Sequence, residues 1–303
     1  MPVACETYYS VVADLLRNEA RAPYQLHGLK SAFDLIFLDL LLGTMHIFHL
    51  IYKALEHVFL YVIQLALKTL AKGPIPRHVA FIMDGNRRYA KENDLSVASG
   101  YLAGAKVLTK IVDLCFDCGI NTISLYAFSL ENFHRPKEQV DILMKLLDGT
   151  LGEMGDNDPL VKKHDIRIRV LGRLELLEDN ALRAIVKATN ATKNNQGKVL
   201  NICIAYTSRD EITSAIRETV AASGFLGKIT AKSLTENMFM GFPPLDIMIR
   251  TSGVYRLSDF MLWQCHQDTD IEVVGMNWPD FGRWDIGLIL LRWQSRRRTL
   301  TDM

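Results

Sequence analysis

The feature that most constrains this chain is an apolar run that ends abruptly in polar and charged residues, between positions 79 and 88. Val79 to Met83 has the character of a buried strand, and Asp84-Gly85-Asn86-Arg87-Arg88 follows it directly. Ligands of open α/β sheets bind just beyond the carboxyl ends of such strands. A carboxylate can bind Mg²⁺, a glycine lets backbone approach a phosphate, and arginine donates in pairs to phosphate oxygens. The segment therefore predicts a diphosphate site, and the alternative is a charged surface turn.

Two further strand-like runs end in similar groups, which favours the diphosphate site over a surface turn. Leu245 to Ile249 precedes Arg250-Thr251-Ser252-Gly253, with Arg256 and Ser258 shortly after. Planar guanidinium groups and short hydroxyl donors suit a second phosphate group. The run Thr122 to Ala127 precedes a third polar segment. This third segment contains Ser129, Asn132, Phe133 and Arg135.

Strand-like and helix-like runs alternate along the chain, which predicts an α/β fold with a mostly parallel central sheet flanked by helices. The predicted strands are Val79 to Met83, Thr122 to Ala127, Ile166 to Leu171, Val199 to Tyr206, Leu245 to Arg250 and Ile271 to Val274. The predicted helices are Gly104 to Phe116, Lys137 to Leu151, Glu175 to Thr192 and Ser208 to Val220. Ser208 and Glu211 are spaced as a capping box at the start of the last helix.

Residues 1–72 are predicted to form a separate N-terminal appendage, and residues 73–303 a second domain that begins at Gly73-Pro74-Ile75-Pro76. The appendage is strongly apolar from Phe33 to Leu70, but charged residues such as Asp39 and Lys53 interrupt it before ~18 uncharged residues accumulate. Apolar helices that lie on a membrane surface therefore fit better than a simple span. A helix in a soluble core is the alternative.

Composition sets broad limits on the function. A chain of 303 residues, 49% of them hydrophobic, can bury one sizeable core. The net charge of +1 gives no reason to expect nucleic acid, whereas local arginine clusters suit small polyanions. Cys115 and Cys118 have metal-like spacing, but no second pair or nearby histidine completes a zinc site. The five cysteines are therefore expected to be free thiols in a reducing compartment.

Taken together, these segments resemble the cis-prenyltransferases, the family of undecaprenyl and dehydrodolichyl diphosphate synthases. The resemblance runs in register from about Gly73 to Phe281 and is most evident with the eukaryotic, fungal-type dehydrodolichyl diphosphate synthases. The motifs that carry it are Gly73-Pro74-Ile75-Pro76, Asp84-Gly85-Asn86-Arg87-Arg88-Tyr89-Ala90-Lys91, Tyr126-Ala127-Phe128-Ser129, Ala205-Tyr206-Thr207-Ser208, Met238-Phe239-Met240-Gly241-Phe242 and Trp278-Pro279-Asp280-Phe281.

The resemblance implies an enzyme that adds isopentenyl diphosphate units, with cis double bonds, to an allylic primer such as farnesyl diphosphate. The product would be a long polyprenyl diphosphate for dolichol, held in a hydrophobic tunnel as it grows. Mg²⁺ would be the cofactor, bound by Asp84. A second hypothesis is a noncatalytic scaffold subunit of a heteromeric prenyltransferase. A third is a nucleotide hydrolase, although no Gly-x-x-x-x-Gly-Lys loop supports it.

The resemblance also assigns roles to individual residues. The allylic diphosphate would be held by Gly85, Asn86, Arg87, Arg88 and Tyr89. Asn132 would lie near the reacting carbon, with Ser129, Phe133 and Arg135 beside it. Isopentenyl diphosphate would be bound by Arg250, Arg256 and Ser258. The candidates for a second metal carboxylate before Trp278 are Asp270 and Glu272, of which Glu272 is favoured.

The chain departs from the family pattern at several positions, and two of these departures concern the substrate site. Tyr101 stands where a histidine is usual, so phosphate contacts from that loop are expected to be missing. Single-chain members end in an Arg-x-Gly signature that completes the substrate site, and the tail Trp293 to Met303 has none. Because two-component eukaryotic enzymes take this signature from a homologous subunit, the resemblance implies such a partner. The alternative is that Arg296 to Arg298 are simply a solvated basic end. The expected location is the endoplasmic reticulum membrane, with the second domain on the cytoplasmic side.

Overall fold

The computed structural model describes residues 43–44, 46–59, 61–62, 74–155, 158–223, 229–240, 243–266 and 268–301. Contacts divide the chain into two compact units, Met1–Phe59 and Leu60–Met303. The domain boundary predicted at residues 72 and 73 lies outside the described residues, as does most of the predicted appendage. In the first unit, residues 46–59 are helical, and large apolar side chains such as those of Phe48, Tyr52 and Leu55 are exposed.

The second unit contains a six-stranded sheet in the order β3-β4-β2-β1-β5-β6, and every neighbouring pair is parallel. The predicted α/β fold with a parallel central sheet is therefore confirmed. The strands are β1 (His78–Ile82), β2 (Thr122–Ser129), β3 (Arg167–Leu171), β4 (Val199–Tyr206), β5 (Ile247–Arg250) and β6 (Asp270–Val273). Each lies within two residues of its predicted bounds at either end, because buried parallel strands are nearly continuous apolar runs.

Helices cover this sheet and connect its strands. They are α1 (Asn86–Glu92), α2 (Val97–Asp117), α3 (Lys137–Glu153), α4 (Pro159–His164), α5 (Asp179–Thr192), α6 (Ser208–Ser223), α7 (Ala231–Glu236) and α8 (Arg283–Thr301). No single helix in the described ranges is both long and apolar enough to cross a membrane, and the one pair that meets those criteria together, α1 with α2, is bent by 119°.

The predicted helices differ from the observed ones in ways that have local causes. Helix α2 begins seven residues before the predicted Gly104, because the Ser96 side chain accepts a hydrogen bond from Ser99 N and caps an earlier turn. The predicted helix from Glu175 is interrupted after a short 3₁₀ turn, Leu174–Leu176, before α5 begins at Asp179. The basic residues Arg296 to Arg298 belong to α8, which continues to Thr301.

The capping box predicted for Ser208 and Glu211 is wrong. Ser208 N donates its hydrogen bond to the Asp259 carbonyl oxygen at 2.7 Å, and not to the Glu211 carboxylate as a capping box requires. The Glu211 carboxylate is fully buried and accepts hydrogen bonds from Met240 N, the Gln264 amide and the Tyr206 hydroxyl. Burial raises the pKa of Glu211. The Glu211 carboxylate therefore binds Tyr206, Met240 and Gln264 instead of the first turn of its own helix, which the local spacing had predicted.

The order of the strands decides where a ligand can bind. Strand β1 is buried along its whole length, with β2 on one side and β5 on the other. The chain leaves β1 to form β2 on one side and later returns to form β5 on the other, which opens a crevice at their carboxyl ends. Ile82 and Arg250 are register partners, so the polar segments after β1 and β5 emerge side by side.

Candidate functional site

A cleft of about 790 Å³ opens at the carboxyl ends of β1, β2 and β5. It is lined at one end by most of the polar residues that the sequence singled out. These are Asp84, Gly85, Asn86, Arg87, Arg88, Ser129, Asn132, Arg135, Arg250, Arg256 and Ser258. Tyr89, Phe133 and Glu272 are not among the lining residues. Parallel strand order thus brings together three segments that are far apart in sequence.

The centre of the polar end is an ion pair between Arg250 and Asp84. Arg250 Nη2 lies 2.7 Å from Asp84 Oδ2, and the arginine side chain is only 4% exposed. Arg88 Nη2 lies 3.6 Å from the other carboxylate oxygen. Arg250 Nε is buried without a hydrogen-bond partner among the described residues. A buried donor without a partner is costly, so the site is set up to receive an anionic group.

The start of α1 depends on close packing around glycine. Gly85 has φ of 106°, and a Cβ there would lie 2.5 Å from Asn277 Oδ1. A Cβ on Gly104 of α2 would lie 2.2 Å from Asn86 Oδ1. Asn86 Nδ2 donates to Met83 O at 3.3 Å, while Asn86 Oδ1 is buried without a partner among the described residues. Gly104 therefore leaves room for the Asn86 side chain, and Gly85 leaves room for Asn277.

Ser129 and Asn132 carry a structural role in addition to any role with a ligand. They form a capping box at a 3₁₀ turn, Leu130–His134. Ser129 Oγ accepts from Glu131 N at 3.0 Å, and Asn132 Oδ1 accepts from Ser129 N at 3.2 Å. Phe133 packs edge-on against Phe128 with ring centroids 4.9 Å apart. The turn is thus rigidly attached to the end of β2.

Arg135 and Tyr101 form a second polar contact inside the cleft. Arg135 Nη1 donates to the Tyr101 hydroxyl at 3.5 Å, and both residues line the cleft. Burial lowers the pKa of Arg135. Tyr101 was noted in the sequence only as a departure from a family pattern, yet it belongs to the cleft wall. The signal that could have identified it was its position one helical turn from Gly104.

The remaining predicted residues lie at the edges of the polar end. Arg87 Nη1 donates to Gln139 Oε1 of α3 at 3.1 Å. The Arg256 carbonyl oxygen and Ser258 Oγ accept from Arg250 Nη1 at 2.5 and 2.8 Å. Ser258 and Arg256 therefore belong to the same cluster as the Arg250 guanidinium.

Glu272 lies outside the set of residues that line the cleft. Arg296 Nη2, from α8, lies 2.7 Å from Glu272 Oε1 and 3.1 Å from Asp270 Oδ2. Neither carboxylate lines the cleft. The assignment of Glu272 as a second metal ligand remains a prediction, and both candidates are paired with the same arginine.

One other group of potential metal ligands occurs in the described part of the chain, formed by Asp113, Asp117 and His164. Lys163 Nζ lies 2.7 Å from Asp113 and 2.9 Å from Asp117, so an ammonium already provides the positive charge there. His164 Nε2 is 2.8 Å from Asp113. These contacts account for the cluster as an ion-pair network between α2 and α4.

The other end of the cleft is apolar. Side chains from α2, α3, β2 and β4 form its wall. They are Leu108, Leu125, Leu143, Leu146, Leu147, Leu151, Met154 and Ile202. Such a lining favours a hydrocarbon chain because it removes apolar surface from water. The cleft as a whole can therefore hold a molecule with an anionic head and a long apolar tail.

Comparison with known proteins gives a consistent result. Residues 82–301 match the prenyltransferase family model described as undecaprenyl diphosphate synthase. The chain is 38% identical over 238 residues to a dehydrodolichyl diphosphate synthase complex subunit of Schizosaccharomyces pombe, covering 77% of this chain and 90% of that protein. It is 39% identical over 233 residues to the human dehydrodolichyl diphosphate synthase complex subunit, covering 75% and 70%.

Solved structures share the fold. Lavandulyl diphosphate synthase from Lavandula x intermedia, crystallised with dimethylallyl diphosphate, superposes with a TM-score of 0.68 at 28% identity, covering 73% of this chain and 95% of that one. An undecaprenyl diphosphate synthase from Campylobacter jejuni superposes with a TM-score of 0.63 at 29% identity, covering 75% and 99%.

Proposed function

The chain belongs to the undecaprenyl diphosphate synthase family of cis-prenyltransferases, and we propose that it is a catalytic subunit that makes dehydrodolichyl diphosphate. It would add isopentenyl diphosphate units to farnesyl diphosphate and supply a long polyprenyl diphosphate for dolichol and protein glycosylation. The relatives named as dehydrodolichyl diphosphate synthase subunits support this substrate class.

One observation carries the proposal: a single cleft joins an arginine-rich polar end to an apolar channel. Asp84, Arg88 and Arg250 converge at the polar end, and the α3 leucines line the other. A diphosphate head and a growing isoprenoid tail need these two environments at once. A nucleotide hydrolase would need no such channel.

The chemistry in this cleft would rest on positioning and charge. In each condensation the carbon–oxygen bond of the allylic diphosphate breaks, a carbon–carbon bond to isopentenyl diphosphate forms, and inorganic diphosphate and one proton leave. Arg88 and Arg250 would stabilise negative charge on the two diphosphates. Holding both substrates at a fixed separation would supply the proximity effect. No nucleophilic side chain is needed.

The Asp84 carboxylate fits a Mg²⁺ requirement. It lines the cleft, its side chain is 29% exposed, and it lies beside the arginines that would hold phosphate oxygens. Mg²⁺ is commonly bound by one or two carboxylates together with substrate phosphates. When bound, the ion would neutralise charge on the leaving diphosphate. Asp84 would hold it, and Gly85 N, which donates to Asp84 Oδ1 at 2.8 Å, would orient that carboxylate.

We further propose that the enzyme works as a heteromer at the endoplasmic reticulum membrane. Several relatives are named as subunits of a complex. A homologous subunit that bears Arg-x-Gly would complete the site. The apolar N-terminal segment would lie on the membrane surface, toward which a long apolar product must leave.

A noncatalytic scaffold has less support. A scaffold would not need Asp84, Arg250 and Ser258 held in hydrogen-bonding contact within a cleft. The site residues therefore favour the catalytic hypothesis.

The test is incorporation of labelled isopentenyl diphosphate onto farnesyl diphosphate with Mg²⁺, for the chain alone and co-expressed with an Arg-x-Gly subunit. Polyprenyl diphosphate made only by the pair is the expected result. Product from the chain alone would keep the chemistry and exclude the required partner. No product from either preparation, with the pair assembled, would favour the scaffold. Omission of Mg²⁺ with a chelator present is the matched control.

A further inference from the structure

The loop after β5 has a conformation that its sequence does not favour. Ser258, Asp259 and Met261 have φ values of 50°, 60° and 49°, in the left-handed region that residues other than glycine seldom occupy. In this conformation Ser258 Oγ lies 2.8 Å from Arg250 Nη1, and the Arg256 carbonyl oxygen lies 2.5 Å from it. Contacts from outside the loop must therefore hold Ser258 against Arg250.

The first residues of α6 provide those contacts. The Asp259 carboxylate, with its side chain 12% exposed, accepts from Arg209 N at 3.1 Å and from Arg209 Nε at 2.7 Å. Ser208 N donates to the Asp259 carbonyl oxygen at 2.7 Å. Ser208 Oγ accepts from Leu262 N at 2.6 Å. Two consecutive residues of one helix thus hold the loop on the C-terminal side of Ser258.

The sheet holds the same loop from the cleft side. The Tyr126 hydroxyl lies 3.1 Å from the Ser258 carbonyl oxygen, and its ring stacks on Phe260 with centroids 4.4 Å apart. Burial raises the pKa of Tyr126, so the hydroxyl stays a neutral donor. Tyr126 lines the cleft, whereas Arg209 and Asp259 do not. A contact with substrate therefore does not explain the Arg209–Asp259 pair.

Arg209 also contacts Glu131, a residue that lines the cleft. Its Nη2 lies 3.2 Å from Glu131 Oε1. Glu131 lines the cleft and belongs to the 3₁₀ turn that carries Asn132. One guanidinium therefore connects the loop that bears Ser258 with the turn that bears Asn132.

We propose that Arg209 and Asp259 are positioning residues for the isopentenyl diphosphate half of the site. Their ion pair stabilises the left-handed loop, which holds Ser258 and the Arg256 carbonyl against Arg250. It thereby presents the Arg250 guanidinium to the diphosphate in one orientation. The proposal rests on the proposed function, because it assigns a role within that same site.

The experiment compares steady-state kinetics of the assembled enzyme for Asp259→Asn, Arg209→Gln and the double variant. Asparagine tolerates the left-handed conformation and keeps the side-chain shape, so the fold is retained. We expect the KM for isopentenyl diphosphate to rise about two- to fivefold in each single variant, the size typical of an ion pair with one exposed partner, with kcat and the KM for farnesyl diphosphate unchanged. The double variant should be no worse than either single one, because both remove the same contact.

Asp210→Asn is the matched control. Asp210 is the next residue of α6 and pairs with Arg173 at 3.2 Å, away from the loop after β5. This variant removes a carboxylate charge, as Asp259→Asn does, but from the helical turn that carries Arg209, and its kinetics should match wild type. Arg209→Lys should recover part of the affinity, since an ammonium can still reach the Asp259 carboxylate.

Two kinetic outcomes would overturn the proposal. If the KM for isopentenyl diphosphate rises in Arg209→Gln but stays normal in Asp259→Asn, Arg209 contacts the substrate itself. If the KM for isopentenyl diphosphate is unchanged in both variants, the loop does not need the Arg209–Asp259 ion pair. Hydrogen exchange of amides 256–262, which should accelerate in both single variants, requires no activity. This measurement therefore tests whether the ion pair stabilises the loop, even if the wild-type enzyme makes no polyprenyl product and the proposed function is wrong.

Discussion

Arg250 donates a hydrogen bond from Nη2 to Asp84 Oδ2 at 2.7 Å, although the two residues are 166 positions apart in the sequence. The contact exists because β1 and β5 are parallel neighbours, with Ile82 opposite Arg250. The arginine is almost fully buried, so its charge depends on this carboxylate. The pair sets both the charge and the geometry of the polar end of the cleft.

Asp84→Asn should lower kcat at least about 100-fold while the fold is retained. The amide keeps an acceptor oxygen for Arg250, but it is a poor Mg²⁺ ligand and cannot balance the guanidinium charge. Initial rates over a range of Mg²⁺ concentrations, together with circular dichroism, check this. Asp141→Asn, which removes the exposed partner of Lys137 on α3, should leave kcat unchanged. Wild-type turnover in Asp84→Asn would remove the central site assignment.

Gly104→Ala should impair both activity and stability. Its Cβ would lie 2.2 Å from Asn86 Oδ1 and 2.9 Å from Trp278 Cδ1, so Asn86 must move away from the cleft. We expect a loss of about 1–3 kcal/mol in the free energy of unfolding, measured with urea. Gly149→Ala on α3 is the control: its Cβ would meet no atom within 4 Å. That change should raise stability by about 0.5–1 kcal/mol. Equal effects at the two glycines would contradict the packing argument.

Leu147→Trp should shorten the product. Leu147 lines the apolar part of the cleft, so a larger ring there takes space from the growing chain. The first condensation needs little of that space and should keep its rate, while long products disappear from the chain-length distribution. Chromatography of labelled products measures both effects. Lys145→Trp, on the exposed face of the same helix, should leave the distribution unchanged. An unaltered product length in Leu147→Trp would mean that the chain follows another path.

Stability should fall as pH decreases from about 6.5 to 4 because of His78. This ring is buried between the Pro243 carbonyl, at 2.9 Å, and Ser124 Oγ, at 2.7 Å. Burial lowers the pKa of His78 from 6.5 to about 4. As pH falls below 6.5, the unfolded chain therefore binds the proton first. The folded state loses up to about 3 kcal/mol by the time pH reaches 4.

Urea unfolding of wild type and His78→Asn between pH 4 and 7 checks the role of His78. The variant should be less stable at pH 7 and show a shallower slope below pH 6.5. His134→Asn, at a ring with 82% of its side chain exposed, should keep the wild-type slope. A wild-type slope in His78→Asn would assign the acid sensitivity to other groups.

Much of the fold could be predicted from the sequence because the signals are local. The run Val199 to Tyr206 gives β4 with its bounds unchanged, and Lys137 begins α3 as predicted. Helix α1 was missed, since Asn86 to Glu92 is polar and carries no apolar period. The 3₁₀ turn at Leu174 was merged with α5 because both share one apolar pattern.

The residues of the candidate site likewise fall into those that a local pattern predicts and those that depend on tertiary contacts. Asp84 and Asn132 each follow a strand and Arg250 ends one, and strand ends can be recognised locally. Phe133 packs on Phe128 outside the cleft, and Glu272 pairs with Arg296, because side-chain direction depends on neighbours that the local pattern does not specify. Arg209 and Asp259 were not recognised at all, since 50 positions separate them.

The sequence by itself determined which segments form strands and which polar groups end them, because hydrophobic periodicity and the residues that follow it act over a few positions. Only the tertiary structure decided which of those ends meet. The parallel order around β1 places Asp84 beside Arg250. Hydrogen bonds from Tyr206 and Met240 N likewise hold Glu211 in the core and away from its own helix end. These contacts join distant residues, so their free energy depends on the packing of the whole sheet.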